Sequence, residues 1–240
     1  MVMSEHTAKA FDIDLQELTR MVAEMGGLAE KQVADSIDAL VERDTDRAQR
    51  TVSADLAIDA LQREIEEKAV LTIARRQPMA VDLREIVGAL RVANDLERIG
   101  DLAKNIGKRV LALDSEFHPP KLIRGVEHMG GLVLAQLKEV LDSYARHDLK
   151  KALVVWNGDE EIDAMCTSLF RELLTYMMED PRNITFCIHL MFCAKNIERM
   201  GDHATNVAET VYYMIEGHEI ADQRPKGDTT TSFATLAAEK

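Results

Sequence analysis

The sequence predicts an all-α protein made of two tandem, pseudo-symmetric three-helix bundles with six long helices. Three observations favour this fold class: an internal repeat of domain length, apolar stripes at helical spacing, and a composition poor in aromatic residues. The chain is 46% hydrophobic but only 5% aromatic, and it contains 12 Met. Such a composition suits a core of Leu, Ile, Val, Ala and Met packed between helices better than a β-sandwich.

The internal repeat relates the two halves of the chain. A shift of 104 positions superposes Met25-Gly26-Gly27-Leu28 on Met129-Gly130-Gly131-Leu132. Under the same shift Gln32, Asp38, Asp55, Ile58 and Asp59 align with Gln136, Asp142, Asp159, Ile162 and Asp163. After a loss of three residues, a shift of 101 aligns Glu97-Arg98-Ile99-Gly100-Asp101 with Glu198-Arg199-Met200-Gly201-Asp202. A repeat this long exceeds a solenoid unit and indicates a duplicated bundle.

Each copy is expected to hold three helices, separated by local start and stop signals. The predicted helices span 11–42, 45–74 and 82–113 in the first copy, and 121–146, 149–179 and 182–217 in the second. In the first copy Gln77-Pro78 ends a helix, and Asp82 with Glu85 forms a capping-box-like start for the next. In the second copy Asp180-Pro181 supplies an Asp N-cap followed by a first-turn Pro.

These boundaries divide the chain into four segments. The first repeat is expected over 11–115 and the second over 121–217, with the join at His118-Pro119-Pro120. Residues 1–10 are predicted to be a flexible N-terminus. Residues 223–240 are predicted to be a disordered tail, because their apolar patterning is too weak to offset the entropy of ordering.

Composition also restricts the function. The net charge of -13 and the pI near 5.0 repel a polyphosphate backbone, so no nucleic-acid partner is expected. No stretch approaches the ~20 apolar residues of a membrane span, which predicts a cytoplasmic protein without direct membrane insertion. Cys166, Cys187 and Cys193 form no Cys-x-x-Cys pair and are interpreted as free, buried core residues.

The third helix of each copy carries the residues that indicate a binding function. Glu97 and Asp101 fall one turn apart on the face opposite an apolar stripe, and Glu198 and Asp202 repeat the pattern. Like charges four residues apart repel, and a bound cation would remove the repulsion. Hard cations prefer carboxylate oxygens. We therefore predict that these four residues bind divalent or trivalent metal ions, with iron, manganese, magnesium and zinc as candidates, and we predict no catalytic residue.

Several alternatives stay open at the level of the sequence. The acidic pairs are also compatible with an ordinary solvated helix face. Asp59 and Asp163 match across the copies and could complete a site, although acids on the second helix are more often surface charges. His203 stands where the first copy has Leu102, so it is a possible extra ligand on one side only. The repeated glycines between the carboxylates favour close helix packing over room for a metal.

Five motifs connect the chain to a known family. They are Met-Gly-Gly-Leu at 25–28, Arg-Gln-Pro-Met-Ala-Val-Asp-Leu-Arg at 76–84, Leu-Glu-Arg-Ile-Gly-Asp at 96–101, Leu-Thr-Tyr-Met-Met-Glu-Asp at 174–180, and Ile-Glu-Arg-Met-Gly-Asp at 197–202. On these motifs the chain resembles the PhoU family, accessory regulators of the high-affinity phosphate transporter. The resemblance extends over residues 11–217.

The resemblance implies two three-helix bundles whose paired acidic motifs bind metal ions, in some members as multinuclear iron clusters. In this sequence the motifs correspond to Glu97, Asp101, Glu198 and Asp202. It further implies negative regulation of the phosphate-starvation response, by coupling the ATP-binding subunit of the phosphate ABC transporter to a sensor histidine kinase. We expect a homodimer without enzymatic activity.

Two other functions compete with this regulator. One is a metal-dependent helical-bundle enzyme, either a phosphohydrolase or a di-iron protein. Ferritin-like di-iron sites use Glu-x-x-His pairs, and none of the seven His residues follows an acidic residue by three positions. The other is a metal-free scaffold, which would tolerate loss of the four carboxylates.

Overall fold

The computed structural model describes residues 2–113, 119–222 and 224, with side chains from Phe11 onward except that of Asp159. The described residues form helices joined by short connections and contain no strand. The predicted disordered tail, 223–240, lies outside the described residues apart from Arg224, so that expectation stays a prediction.

Seven α-helices and one short 3-10 helix follow one another in the described part of the chain. They are α1 Val2–Glu42, α2 Thr45–Arg76, α3 Val81–Ala112, α4 Pro120–Arg146, α5 Leu149–Asn157, α6 Asp159–Glu179, the 3-10 helix Pro181–Asn183, and α7 Ile184–Glu216. Helices α1, α2 and α3 pack together as one bundle, and α4 to α7 form the second. The predicted fold class is confirmed. None of the described helices has the length and apolarity required to cross a membrane.

Two predicted helix boundaries are wrong. Helix α1 begins at Val2 instead of residue 11, because the first ten residues contain no Gly or Pro that would end a helix. The helix predicted over 149–179 is divided at Gly158, whose backbone N–H donates to the carbonyls of Val154 and Val155. The equivalent position in the first copy is Ala54, where α2 continues without a break. Glycine costs a helix interior up to about 1 kcal/mol relative to alanine, so the break follows this exchange.

The two bundles join through α1 against α4 and α3 against α7. Both pairs are antiparallel. Gly88 near the start of α3 faces Met214 near the end of α7, and Arg109 near the end of α3 stacks on Phe192 of α7. The copies are therefore related by a pseudo-two-fold axis that reverses the direction of equivalent helices. Residues near the end of α3 and their equivalents near the end of α7 therefore lie at opposite ends of the α3–α7 pair, whereas the two Glu-x-x-x-Asp motifs lie near its middle.

Small residues allow α1 and α4 to approach closely. A Cβ added at Gly130 would lie 2.4 Å from Ile37 Cδ1, and one added at Gly26 would lie 2.6 Å from Leu141 Cδ2. Two of the repeated Met-Gly-Gly-Leu glycines are thus packing contacts between the bundles. Cys166, Cys187 and Cys193 form no disulfide and are buried, as the sequence predicts.

Candidate metal centres

The first acidic cluster consists of Glu97 and Asp101 on α3 together with Asp55 and Asp59 on α2. Leu96 and Ile99 of the apolar stripe are fully buried, and this anchors α3 against the core. The carboxylates are not directed straight into solvent as expected for the face opposite the stripe. Side-chain exposure is only 17% for Glu97 and 35% for Asp101, because α2 packs beside them.

A lysine ammonium group lies within the first acidic cluster. Lys104 Nζ donates to Asp101 Oδ1 at 2.6 Å and also to Oδ2 of Asp55, which is 3% exposed. Burial by itself lowers the pKa of Lys104, but the hydrogen bonds to Asp101 and Asp55 raise it above its usual value. The lysine therefore stays charged and neutralises part of the cluster from within the protein.

Glu97 is left less well compensated than its neighbours. Burial raises the pKa of Glu97, and the nearby charges of Asp101 and Asp59 raise it further against the opposing effect of Arg98. The negative charge of this carboxylate is thus disfavoured in the metal-free fold. The sequence leaves open whether Asp59 is a metal ligand. In the structure Asp59 lies close enough to Glu97 to raise its pKa electrostatically.

An uncharged oxygen donor completes the surroundings of the first acidic cluster. Gln32 Nε2 donates to the Thr51 carbonyl at 3.1 Å and to Asp55 Oδ1 at 3.4 Å, which fixes the amide plane. Gln32 Oε1 is buried and has no hydrogen-bond donor among the described residues. The glycine in the motif allows this approach, because a Cβ at Gly100 would lie 3.0 Å from that oxygen. A buried, unpartnered carbonyl oxygen beside carboxylates is a free ligand position for a cation.

The second acidic cluster consists of Glu198 and Asp202 on α7 together with Asp163 on α6. Glu198 is 6% exposed, and its Oε1 accepts a hydrogen bond from Lys195 Nζ at 2.7 Å. Its Oε2 is buried without a donor among the described residues. Burial raises the pKa of Glu198 despite the hydrogen bond from Lys195, which lowers it. The buried Asp163 acts on Glu198 in the same sense as Asp59 acts on Glu97.

Asp202, the more exposed carboxylate of the second acidic cluster, pairs with a different cation from Glu198. Arg224 Nη2 donates to Asp202 Oδ1 at 2.8 Å, so this arginine, eight residues beyond the end of α7, lies against the helix. The repeat also supplies the amide oxygen seen in the first copy. Gln136 Oε1 is buried without a donor in the described part of the chain, and it lies 3.5 Å from a Cβ built at Gly201.

His203 does not join the second acidic cluster. Its Nδ1 lies 2.8 Å from Oδ1 of Asp95 on α3, and Asn206 Nδ2 donates to the same oxygen at 3.3 Å. The imidazole ring therefore contacts the neighbouring bundle. Of the undecided ligands, Asp59 and Asp163 lie beside the acidic pairs and His203 is engaged elsewhere.

The donor atoms fit a hard cation better than a soft one. Both clusters offer carboxylate and amide oxygens, while no Cys occupies either cluster. Among residues 11–113, 119–222 and 224, apart from Asp159, no group of three or more His, Cys, Asp or Glu is arranged to hold a metal ion. Internal ammonium and guanidinium groups occupy part of the space instead. Ligation would require Lys104 and Arg224 to withdraw from the carboxylates.

Sequence reasoning missed three participants of these clusters: Asp55, Gln32 and Gln136. Each of them belongs to the set of positions that match across the two copies, so the repeat itself contained the signal. Their proximity to the Glu-x-x-x-Asp motifs depends on how α1 and α2 pack against α3. Helical periodicity within one element does not predict that packing.

The sequence model of the PhoU domain matches the chain twice, over residues 22–110 and 126–211. The chain belongs to the PhoU family. Each PhoU match contains one of the two Glu-x-x-x-Asp motifs on a third helix, so the duplication seen in the sequence is a duplication of the PhoU domain.

Relatives in the PhoU family align over nearly the whole chain. A phosphate-specific transport system accessory protein PhoU homolog of Rhizobium meliloti is 59% identical, covering 96% of this chain and 98% of its own. The homolog from Caulobacter vibrioides is 54% identical, covering 94% and 98%. The crystal structure of PhoU from Pseudomonas aeruginosa has a TM-score of 0.83 at 40% identity, covering 87% of this chain and 100% of its own. The PhoU structure from Streptococcus pneumoniae has a TM-score of 0.82 at 27% identity, covering 88% and 100%.

Proposed function

We propose that this PhoU-family chain is a cytoplasmic accessory regulator of phosphate uptake whose two acidic clusters bind metal ions. In this proposal it damps the phosphate-starvation response by docking on the ATP-binding subunit of a phosphate ABC transporter and on a sensor histidine kinase. It acts as a homodimer and catalyses no reaction. The relatives named as accessory proteins of phosphate-specific transport systems support the regulatory part.

One observation carries the metal part of the proposal. In both copies a Glu-x-x-x-Asp pair lies beside a buried glutamine oxygen, Gln32 Oε1 or Gln136 Oε1, that has no donor among the described residues. Burial also disfavours the charge on Glu97 and Glu198. Leaving such oxygens unpaired in the interior costs free energy of about 1–3 kcal/mol per group. A cation would offset that cost in both copies at once.

The proposed mechanism uses the helices as rigid supports for the acidic clusters. Helix α3 packs beside α2 and α7 packs beside α6, which keeps Glu97 and Asp101 near α2, and Glu198 and Asp202 near α6. When bound, a metal ion would supply positive charge that neutralises each cluster. Lys104 and Arg224 would then be released from their carboxylates. The resulting change in surface charge and helix rigidity would alter the surface on which the partner proteins dock.

Metal content tests the assignment of the four carboxylates. The full chain is purified from metal-supplemented cells, and metal is measured by inductively coupled plasma mass spectrometry. Replacing Glu97, Asp101, Glu198 and Asp202 together by Ala should reduce the metal content to background. Circular dichroism should show that the helical content is retained.

A matched variant controls for the change in net charge. Glu64, Glu66, Glu67 and Glu127 are exposed acids, and replacing these four by Ala removes the same charge without touching either cluster. This variant should keep the metal content of the parent chain. Equal metal content in the parent and the cluster variant would refute the metal assignment. Background metal content in both would favour the metal-free scaffold, in which Lys104, Lys195 and Arg224 serve as internal counter-ions.

Partner capture tests the regulatory part separately. The chain is used as bait in extracts from phosphate-replete cells, and captured proteins are identified by mass spectrometry. Recovery of the transporter ATP-binding subunit and of the sensor kinase is the expected result. Absence of both, under conditions where the bait is folded and loaded with metal, would contradict the adaptor role.

A further inference from the structure

A cavity of about 390 Å³ lies between the end of α3 and the first half of α7. Its lining is formed by Asn105, Lys108, Arg109, Ala112, His189 and Asn196. None of these residues is used by the acidic clusters. The cavity contains two permanently basic side chains, one imidazole and two carboxamides, with no acid in its lining. In a chain of net charge -13, such a concentration of basic groups in one concave site is exceptional.

The pseudo-symmetric cavity at the other end of the α3–α7 pair has the opposite character. Its volume is about 510 Å³, and its lining includes Asp95, Glu209, Glu219 and Asp222. The repeat offset pairs Asp95 with Asn196 and Glu209 with Lys108. The two cavities are lined by equivalent positions of the repeat, but acidic side chains dominate one lining and basic side chains the other. The basic lining therefore does not follow from the repeated architecture and requires its own explanation.

Two buried nitrogen atoms of the basic cavity lack partners. Arg109 Nε and His189 Nδ1 are inaccessible to solvent and have no hydrogen-bond partner among the described residues. Buried polar atoms without partners cost free energy and are uncommon in native folds. The guanidinium of Arg109 is meanwhile held in place, since its Cζ lies 4.0 Å from the ring centroid of Phe192. Stacking on an aromatic face orients the planar donor group before any ligand arrives.

We propose that this cavity binds a small tetrahedral oxyanion of the inorganic phosphate class. In this proposal the side chains of Arg109 and His189, both in the lining, turn donor groups toward the anion, which pairs the nitrogens that are otherwise buried without partners. Lys108, which is exposed at the rim, adds positive charge, and the carboxamides of Asn105 and Asn196 supply neutral donors. The inference depends only on the cavity, so it goes beyond the proposed metal-dependent role and holds whether or not the acidic clusters take up metal.

The electrostatic surroundings of His189 are those expected of an anion-binding site. Burial lowers the pKa of His189, and the positive charge of Arg109 lowers it further. A bound anion favours the charged imidazolium and would raise that pKa. Binding thus has a spectroscopic signature at a single ring that does not depend on any cellular activity.

The test uses the full chain stripped of metal with EDTA, so that phosphate bound through a metal ion is excluded. Isothermal titration calorimetry with inorganic phosphate should show saturable binding of one anion per chain. The ring resonances of His189, followed by NMR, should titrate at a higher pH in saturating phosphate than in its absence. No saturable binding, or an unchanged His189 titration, overturns the proposal.

Matched variants locate the binding site. Arg109→Gln and His189→Gln should each weaken phosphate binding by roughly tenfold or more, as expected for loss of a charge-assisted hydrogen bond. Arg91→Gln removes the same charge from the acidic cavity, where Arg91 stacks on Tyr213, and should leave the affinity unchanged.

A third variant covers the case in which Arg109→Gln disturbs folding. Lys108→Gln changes only an exposed rim residue and should still weaken binding several-fold. Unchanged affinity in Lys108→Gln together with a folded His189→Gln that binds normally would overturn the assignment. A loss in Arg91→Gln equal to that in Arg109→Gln would do the same. Metal content of each variant, measured separately, keeps this result distinct from the fate of the metal proposal.

Discussion

The two acidic clusters share a motif but differ in how their charge is compensated. In the first cluster Lys104, on the same helix as the motif, joins Asp101 to the buried Asp55 on α2. The equivalent position in the second copy is Thr205, whose hydroxyl donates to the Gly201 carbonyl. The second cluster takes its cations from positions that the repeat does not match to Lys104, namely Lys195 on α7 and Arg224 beyond its end. The repeat thus retains the carboxylates while replacing the cations, which indicates that the acids serve a purpose independent of any one ion pair.

The largest difference is expected for the lysine of the first cluster. Lys104→Met removes the ammonium group from the carboxylate of Asp55, which is 3% exposed and keeps the hydrogen bond from the Gln32 amide. Removing one partner of a buried ion pair costs about 3–5 kcal/mol, and we expect the lower end because Lys104 is partly exposed. Urea unfolding of the metal-free protein measures the loss. Lys138→Met, on an exposed face, should be nearly neutral.

Added Mn²⁺ distinguishes a charge effect from a packing effect in that variant. If Asp55 and Asp101 can take a metal ion in place of the ammonium group, Mn²⁺ should restore more stability to Lys104→Met than to the parent chain. Equal gains would show that no cation is bound in place of the lysine.

A second difference is expected at the glycines of the motifs. A Cβ at Gly100 would lie 3.0 Å from both Ile58 Cδ1 and Gln32 Oε1, whereas the nearest atom to one at Gly201 is Ile162 Cδ1 at 3.2 Å. Alanine gains about 1 kcal/mol of helix propensity at either site. Crowding should outweigh that gain at Gly100, for a net loss of roughly 1–2 kcal/mol, and should roughly cancel it at Gly201.

Thermal or chemical unfolding of the two alanine variants measures this contrast. Gly27→Ala serves as the reference, because a Cβ there meets nothing within 4 Å and should be stabilising. A Gly100→Ala variant as stable as Gly27→Ala would mean that Gln32 and Ile58 move away freely, which contradicts the tight packing described for the first cluster.

The third contrast concerns the buried glutamates. Burial raises the pKa of Glu198, so the folded metal-free protein disfavours its charged form, and Glu198→Gln should stabilise it by about 1 kcal/mol at neutral pH. Glu97 is more exposed than Glu198, so Glu97→Gln should gain less. Since a raised folded-state pKa means that the native protein binds the proton more readily, stability of the parent rises as the pH falls through that pKa.

The gain from Glu198→Gln should therefore shrink as the pH is lowered through the raised pKa of Glu198, where the parent glutamate becomes neutral too. Unfolding curves at several pH values measure this dependence. A gain that stays constant with pH would assign the effect to packing and not to charge.

The smallest effect is expected for the arginine of the second cluster. Arg224→Ala removes an ion pair in which the carboxylate of Asp202 is 33% exposed, and such pairs contribute about 0.2–1 kcal/mol. The free energy of unfolding should fall by no more than that amount. A loss as large as that of Lys104→Met would show that Arg224 fixes the segment after α7 onto this helix and is not merely a surface counter-ion.

Most of the fold was predictable from the sequence because the repeat is long and its helices are strongly periodic. The matching of Met25-Gly26-Gly27-Leu28 with its second copy already implied equivalent first helices, which the structure places against each other. Helix ends were less predictable. Asp82 and Glu85 resemble a capping box, yet α3 begins after Ala80 without a side-chain cap, and Glu85 contacts His147 instead.

The sequence alone determined the helical class, the duplication, the family resemblance and the identity of the four motif carboxylates. The helical class follows from periodicity, which is a local property of the chain. The duplication follows from matched positions in the two halves, and the family resemblance follows from specific motifs. Only the tertiary structure decided which groups face those carboxylates, that His203 contacts Asp95, and that Arg109 and His189 border one cavity. Those relations join residues far apart in sequence, so they depend on how helices pack, and no local pattern encodes the packing by itself.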